Sequence, residues 1–241
     1  MSKPRVSIIT SIYKSEGFME HFLHDVARQT IFSECELLLL NAQSPENEET
    51  IILDFQKIFP ANVVYKKLDK RYSVYETWNM AVDMASADLV TNWNTDDRRA
   101  FNSLELQAAE LENDPNLDVC YGPTLTTEVP NESVENCASR TGFGCWQVDS
   151  MKDLLMNNSP HCLPMWRKSL HQRFGYFDTQ YFSAADYEMW LRSLKGGAKF
   201  KKINALIGSY YRNPVGVSSN METLEKAIAE VKSVQEKYAN S

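Results

Sequence analysis

The length and charge of the chain limit the classes of protein to which it can belong. Its 241 residues correspond to one large domain or to one and a half, which is enough for a substantial hydrophobic core. The formal net charge of −7 argues against a general binder of nucleic acid or of anionic membranes, because both depend on clustered lysine and arginine. No apolar run approaches the roughly 20 residues of a membrane-spanning helix, so we expect no membrane span.

The five cysteines indicate reduced thiols. They are odd in number, scattered and without C-x-x-C spacing: Cys35, Cys120, Cys137, Cys145 and Cys162. This pattern favours neither a disulfide framework nor a zinc site. We therefore expect a cytoplasmic protein, and we leave open that it acts at the inner face of a membrane.

Predicted strands and helices alternate over the first part of the chain. The β-branched run from Arg5 to Tyr13 predicts a strand, and the helix after it closes at Gln29-Thr30. The run from Cys35 to Leu40 is apolar on both faces, as is typical of a buried parallel strand. A helix, a strand, a helix and a fourth strand follow: 47–59, 63–65, 74–85 and 88–93. This alternation predicts a doubly wound sheet.

The second part of the chain is less regular. Asn102-Ser103 is predicted to supply the N-cap of a helix, and a strand is predicted over 119–122. Residues 124–150 are rich in turn formers and are interpreted as loops and short strands. A helix begins near Asp186, and the last predicted helix carries an apolar stripe: Leu224, Ile228, Val231, Val234 and Tyr238.

Two adjacent acids, Asp96 and Asp97, follow the predicted strand over 88–93. Ligands of open α/β sheets collect outside the carboxyl ends of the strands, and close carboxylates there suit Mg²⁺ or Mn²⁺. For an isolated acidic pair, a turn with solvated charges is the more common explanation. The loops over 10–14 and 41–44 are expected to open on the same edge of the sheet, which favours a ligand site.

Eight short motifs occur in order along the chain: Val6 to Tyr13, Gln29-Thr30, Glu36 to Ser44, Trp78 to Ala81, Asn94 to Asp97, Pro164 to Arg167, Gly175 to Asp178 and Ala185 to Arg192. No single motif is decisive, but their order and spacing are specific. Together, over roughly Pro4 to Ser219, the chain resembles family 2 glycosyltransferases of the GT-A fold.

The resemblance implies an α/β fold, a GT-A-type doubly wound and mostly parallel sheet with helices on both faces. One domain would span 1–220, with a Rossmann-like nucleotide-binding half over 1–100 and an acceptor-binding half over 101–220. A C-terminal helix over 221–241 would follow, packed on the domain or mediating an oligomer. The implied activity is inverting transfer of a sugar from a nucleoside-diphosphate sugar, first of all a UDP sugar, to a glycan, glycoconjugate or other hydroxyl acceptor, as in polysaccharide biosynthesis.

On the donor side, the resemblance assigns seven residues to the nucleotide sugar: Thr10, Ser11, Tyr13, Asn41, Arg71, Asn94 and Asp96. Tyr13 would stack on the base. Asn41 and Ala42 stand where the family usually has two acids. Because the loss of a carboxylate removes a hydrogen-bond acceptor for a pyrimidine N–H, the identity of the nucleotide base stays open. Trp78 stands where many members have an arginine that contacts the nucleotide. We therefore expect one of three other arginines to make this contact: Arg71, Arg98 or Arg99.

The motif from Asn94 to Asp97 corresponds to the family's D-x-D region, with asparagine in place of the first acid. The resemblance makes Asp96 or Asp97 the direct ligand of Mn²⁺ or Mg²⁺, with Asp96 favoured. Such ions keep several waters, so few protein ligands are needed. The segment from Tyr211 to Ser218 is expected to close on the diphosphate, with Arg212 as the counter-charge.

Asp186 matches the family's catalytic base, which takes the proton of the acceptor hydroxyl. Its position at a helix start also predicts a capping role, and one carboxylate can serve both. We assign His161 and Trp190 to the acceptor site, although a structural role is equally open for the histidine and aromatic rings are more often core. Ala185 replaces a frequent glutamate, which affects acceptor contacts.

Two other functions stay open at this stage. The replacements at Ala42, Trp78, Asn94 and Ala185 suggest a catalytically impaired nucleotide-sugar-binding or scaffold module. A nucleotidyltransferase on a similar sheet is less favoured. Such an enzyme would need a glycine-rich basic loop near the first strand, whereas residues 10–17 contain only one glycine and one lysine.

Overall fold

The computed structural model describes residues 3–137, 141–142, 144–216, 220 and 222–239. Ten strands form in this part of the chain: β1 (Val6–Ile12), β2 (Cys35–Asn41), β3 (Val63–Lys67), β4 (Leu89–Asn92), β5 (Arg98–Arg99), β6 (Val119–Tyr121), β7 (Thr124–Thr127), β8 (Met165–Arg167), β9 (Phe200–Lys202) and β10 (Gly208–Tyr211).

Eight α-helices and one short 3₁₀ helix, Phe32–Glu34, form in the same described residues. The α-helices are α1 (Glu16–Ala27), α2 (Glu48–Ile58), α3 (Val74–Met84), α4 (Ser103–Asn113), α5 (Met151–Met156), α6 (Ser169–Phe174), α7 (Ala185–Lys195) and α8 (Leu224–Ala239). None of the described helices is long and apolar enough to cross a bilayer.

The main sheet has seven strands in the order β3-β2-β1-β4-β8-β6-β9. Only β8 runs antiparallel to its neighbours, β4 and β6, among these paired strands. A smaller sheet has the order β5-β10-β7, with β10 antiparallel to β5 and parallel to β7. The predicted doubly wound, mostly parallel α/β sheet is confirmed.

Helices cover both faces of the main sheet, so its central strands are buried on both sides. Alternate residues of β2 enter opposite layers, because successive side chains of a strand point to opposite faces. Leu38 and Leu40 pack in the layer that contains α3 and α7, whereas Leu37 and Leu39 pack in the layer that contains α1 and α4. This burial explains why the run from Cys35 to Leu40 is apolar on both faces.

The C-terminal helix α8 packs against α5 and α7. Val234 and Tyr238 of its predicted apolar stripe are buried, but Ile228 is 59% exposed and Val231 is 38% exposed. Only part of the apolar stripe therefore packs against the domain.

The start of α4 is held differently from the prediction. Asn102 occupies the N-cap position with φ −113° and ψ 9°, outside the extended region that side-chain capping requires, and it makes no capping hydrogen bond. The Gln29 Oε1 atom accepts from Leu104 N at 3.3 Å and from Ser103 Oγ at 3.4 Å. The side chain of Gln29, from the segment after α1, thus takes the place of the predicted cap.

A buried histidine makes the stability of this core depend on pH. Trp166 Nε1 donates a 2.9 Å hydrogen bond to His171 Nε2, and burial lowers the pKa of His171 to about 4. An unfolded histidine titrates near pH 6.5, so the unfolded chain binds this proton first as the pH falls. The contribution of His171 to stability is therefore complete at neutral pH and is lost between about pH 6.5 and about pH 4.

Replacing His171 with glutamine should remove this part of the pH dependence. The amide oxygen still accepts from Trp166 but does not titrate, whereas the wild-type shift corresponds to about 3 kcal/mol across the window. The measurement is urea unfolding of both proteins between neutral pH and about pH 4. Equal losses of unfolding free energy in the two proteins would show that His171 is not the responsible group.

Candidate active site

The carboxyl ends of β1, β2 and β4 meet at one edge of the main sheet. Ala42 N donates to Ile12 O at 3.0 Å, and Lys14 N donates to Ser44 Oγ at 2.9 Å, which joins the loops after β1 and β2. Trp93 N donates to Ile9 O at 3.1 Å, which brings the chain after β4 to the same place. The two loops and the acidic turn therefore open on one edge, as expected.

Ser11, near the end of β1, and Tyr13, just after it, are both half-buried. The guanidinium carbon of Arg71 lies 3.5 Å from the centroid of the Tyr13 ring, so the structure brings together these two residues assigned to the nucleotide. Thr10 is fully buried, and its hydroxyl donates to Trp93 O at 2.9 Å. The side chain of Thr10 joins β1 to the residue that follows β4 and is not available to a ligand.

Asn41 shapes the turn after β2. It is 1% exposed, its Oδ1 accepts from Ser44 N at 2.8 Å and its Nδ2 donates to Tyr65 Oη at 3.2 Å. The fully buried Glu48 accepts from Ser44 Oγ and Ser15 N, each at 2.7 Å. Glu48 thus ties together the two loops beside the site, a role that sequence reasoning missed.

Asp96 and Asp97 lie in the turn after β4, against the strand β10. Asp97 is 1% exposed, and its two oxygens accept from Tyr211 N and from Asn94 Nδ2, each at 3.3 Å. Asp96 is half-buried and accepts from Asn213 Nδ2 at 3.0 Å. Burial, reinforced by the adjacent Asp96 carboxylate, raises the pKa of Asp97 well above its usual value, and burial also raises the pKa of Asp96.

This acidic turn fits a divalent cation held by few protein ligands. Two adjacent carboxylates that burial makes costly to ionise would be stabilised in their charged form by a bound cation. Both oxygens of Asp97 are hydrogen-bonded within the chain, whereas Asp96 accepts from a single side chain, which makes Asp96 the more accessible ligand. Within the described residues, no group of three histidine, cysteine, aspartate or glutamate side chains forms a metal cluster.

Of the three candidate arginines, Arg98 and Arg99 are each 3% exposed and lie behind the acidic turn. Arg98 donates to the carbonyl of Asp97 at 3.0 Å, and Arg99 donates to Gln107 Oε1 at 2.7 Å and to Thr91 Oγ1 at 2.5 Å. Burial lowers the pKa of Arg99 to about 9. Arg71 is the candidate that stays exposed at the site.

The end of β10 and the segment after it contact the acidic turn through Tyr211 and Asn213, and Arg212 between them is exposed. The predicted closing loop over 211–218 thus lies beside the acidic turn at Tyr211 and Asn213, and its closure on a diphosphate stays a prediction. Residues 217 and 218 lie outside the described part of the chain.

Asp186 lies in the first turn of α7 and does not cap it. Ala184 occupies the N-cap position without a side-chain capping bond, so the capping prediction for Asp186 is wrong. Tyr75 Oη lies 3.1 Å from Asp186 Oδ1, and Asn158 Nδ2 lies 3.4 Å from Asp186 Oδ2, each as a donor. Two side chains from distant segments therefore hold a half-buried carboxylate.

His161 lies near this carboxylate and packs against the strand that contacts the acidic turn. Burial lowers the pKa of His161, and the nearby Asp186 carboxylate opposes that shift. The His161 ring packs edge-on against Tyr210, with 5.1 Å between ring centroids, and the following residue Tyr211 contacts Asp97. Asp186, His161 and the acidic turn therefore border one region.

Trp190 does not belong to this region. It is 1% exposed, and its ring packs against Trp166 at 5.5 Å and Phe200 at 6.3 Å between ring centroids. The assignment of Trp190 to the acceptor site is corrected, because core aromatic rings enclose its side chain.

The fold is that of GT-A glycosyltransferases. A structure of S. aureus TarS 1-349 in complex with UDP-GlcNAc matches with a TM-score of 0.73 and 16% identity, over 95% of this chain and 66% of that chain. The mannosyltransferase PcManGT from Pyrobaculum calidifontis in complex with GDP-Man and Mn²⁺ matches with a TM-score of 0.72 and 14% identity, over 97% of this chain and 64% of that one. The chain thus spans just under two thirds of these solved chains.

The sequence also matches the family model described as Glycosyl transferase family 2 over residues 7–174, which is more than half of the chain. The protein belongs to this family. A curated relative, an uncharacterised glycosyltransferase of Methanocaldococcus jannaschii, is 21% identical over 212 residues, which cover 87% of this chain and 71% of the relative.

Proposed function

We propose that the protein is an inverting hexosyltransferase that moves a sugar from a nucleoside-diphosphate sugar to a hydroxyl group of a saccharide or glycoconjugate, with metal assistance. The observation that carries this proposal is the carboxylate of Asp186. It starts a helix without capping it, two side chains orient it, and it borders the same region as the acidic turn through His161. A carboxylate so placed can act as a general base.

The donor would lie across the carboxyl ends of β1, β2 and β4. Tyr13 and Arg71 offer a stacked aromatic and cationic surface for the base, and Ser11 lies next to them. Asn94 and Asp96 would meet the ribose and the diphosphate. One similar solved protein holds UDP-GlcNAc and another holds GDP-Man, so both nucleotides are candidates, with uridine first.

Asp96, with Asp97 behind it, would hold Mn²⁺ or Mg²⁺. When bound, such a cation neutralises the negative charge that develops on the leaving nucleoside diphosphate. The solved structure of PcManGT contains Mn²⁺ together with GDP-Man, which supports the choice of metal.

In the transfer step, the oxygen of the acceptor hydroxyl forms a bond to the anomeric carbon while the bond from that carbon to the diphosphate oxygen breaks. The Asp186 carboxylate takes the hydroxyl proton. Because the attack comes from the face opposite the leaving group, the configuration of the anomeric carbon inverts. His161, half-buried beside Asp186, would contact the acceptor.

A donor panel tests the proposal. We expect one UDP-, GDP- or dTDP-sugar to stabilise the protein in the presence of Mn²⁺ or Mg²⁺ and to release nucleoside diphosphate slowly, and chelation should remove both effects. A donor at about 100 times its Kd raises the unfolding free energy by about 2.7 kcal/mol, which a thermal shift detects. Arg71→Ala should weaken the shift, whereas the matched control Lys70→Ala, a neighbouring exposed cation, should not.

The panel also separates the two candidate functions. Stabilisation with release supports the transferase. Stabilisation without release, with acceptors of several classes added, would favour the nucleotide-sugar-binding module, and no response to any donor would contradict both.

A further inference from the structure

The residue Glu230 of the C-terminal helix α8 binds the backbone just before α7. Its Oε1 accepts from Phe182 N at 2.7 Å, and its Oε2 accepts from Ser183 N at 2.7 Å and from Ser183 Oγ at 3.2 Å. One carboxylate therefore holds two consecutive backbone N–H groups, and such charge-assisted hydrogen bonds are stronger than neutral ones. The segment it holds leads directly into the turn that carries Asp186.

The same segment also determines how Tyr75 is placed. Tyr75 is 4% exposed, and its hydroxyl lies 2.7 Å from Ser183 O and 3.1 Å from Asp186 Oδ1. A tyrosine hydroxyl has one proton, so these two acceptors share one donor. Any movement of the Ser183 carbonyl therefore changes the hydrogen bond that Asp186 receives.

A second anchor fixes α8 against α7 on the other side of Asp186. Glu188 is 1% exposed, and its Oε1 accepts from Lys237 Nζ at 2.9 Å and from Tyr238 Oη at 2.7 Å. The helix α8 thus holds the chain on both sides of Asp186, through Glu230 before it and through Glu188 after it.

We infer that Glu230 is a positioning residue for Asp186, so that the C-terminal helix is part of the catalytic apparatus. The inference rests on the proposed role of Asp186 as the base. Glu230 acts through the backbone of Phe182 and Ser183 and through the Tyr75 hydroxyl, without touching substrate. This helix lies beyond residues 7–174, which match the family model.

Glu230→Gln tests this inference with little change of shape. The amide keeps one acceptor oxygen, but its NH₂ group cannot accept from the second backbone N–H. We expect kcat for release of nucleoside diphosphate, from the UDP- or GDP-sugar that stabilises the protein, to fall about tenfold, with the donor KM unchanged. Glu236→Gln is the matched control, because Glu236 is exposed on the same helix, 3.9 Å from Lys232 Nζ. The kcat of this control variant should match that of the wild type.

A double-mutant cycle separates positioning from a general effect on stability. Tyr75→Phe removes the shared hydroxyl without changing α8, and should give a similar loss of kcat. The double variant should lose little more than the larger single loss, because both changes act on one hydrogen bond. An unchanged kcat in Glu230→Gln, or fully additive losses, would overturn the inference.

The Asp186→Asn background distinguishes this inference from the function on which it rests. Adding Glu230→Gln to Asp186→Asn should cause no further loss of kcat. If Asp186→Asn alone keeps the parent rate, the proposed base is wrong. If Asp186→Asn is inactive while Glu230→Gln is fully active, only the positioning role is wrong.

Discussion

Replacing Asp186 with asparagine is expected to lower kcat for sugar transfer by about 10²- to 10⁴-fold, the range that general base catalysis contributes. The amide oxygen can still accept from Tyr75, so the local shape is kept, but the amide cannot take a proton from the acceptor hydroxyl. Donor binding should not change, because the residues proposed to bind the donor lie on other segments, mainly near the carboxyl ends of β1, β2 and β4. The measurements are transfer rate and donor-induced thermal shift.

Asp54→Asn provides the matched control for this prediction. Asp54 lies on α2 with its side chain 65% exposed and paired with Lys57, so its replacement should change neither rate nor binding. Transfer by Asp186→Asn at the parent rate would contradict the assignment of the base. Loss of donor binding together with rate would instead indicate that Asp186 belongs to the donor site.

Asp96→Asn is expected to remove the metal-dependent part of donor binding and to lower the transfer rate by about 10²-fold or more. The same change should leave the metal-free protein at least as stable as the wild type. Burial and the neighbouring Asp96 carboxylate both raise the pKa of Asp97. A neutral amide at position 96 therefore removes an electrostatic repulsion between the two side chains. Mn²⁺ titrations followed by thermal shift, with and without donor, measure both effects.

Asp88→Asn is the control for this second prediction. Asp88 precedes β4 at the opposite end of the strand, with its side chain 82% exposed and paired with Lys3. Its variant should respond to Mn²⁺ like the wild type. If Asp97→Asn abolishes the Mn²⁺ response while Asp96→Asn retains it, Asp97 is the direct ligand and the assignment of Asp96 is wrong.

The pattern of apolar residues determined the order of the elements and the class of fold. The spacing of buried side chains reports which faces of a helix or strand meet the core, and this spacing depends only on local backbone geometry. It predicted the alternation that forms β1 to β4 and the two-sided burial of β2. Because the carboxyl ends of parallel strands lie at the same edge of a sheet, the sequence also predicted that Asp96 lies beside the loops after β1 and β2.

The direction of individual polar and aromatic side chains was decided by tertiary packing. Trp190 follows Asp186 by one helical turn, yet core rings enclose it while the acid faces Tyr75. Arg98 and Arg99 follow the acidic pair in sequence, yet both are buried behind it. Spacing along one element cannot tell which neighbour a side chain meets, because that depends on elements placed by other parts of the chain.

The sequence by itself therefore determined the sheet, the edge at which the candidate site lies and, through the ordered motifs, the family. Only the tertiary structure decided which residues surround the candidate base. Tyr75 and Asp186 are 111 residues apart in the chain, and Glu230 lies 47 residues after Ser183, so no local pattern links them. Their hydrogen bonds exist because α3, α7 and α8 pack together, and that packing results from the burial of apolar faces in the whole domain.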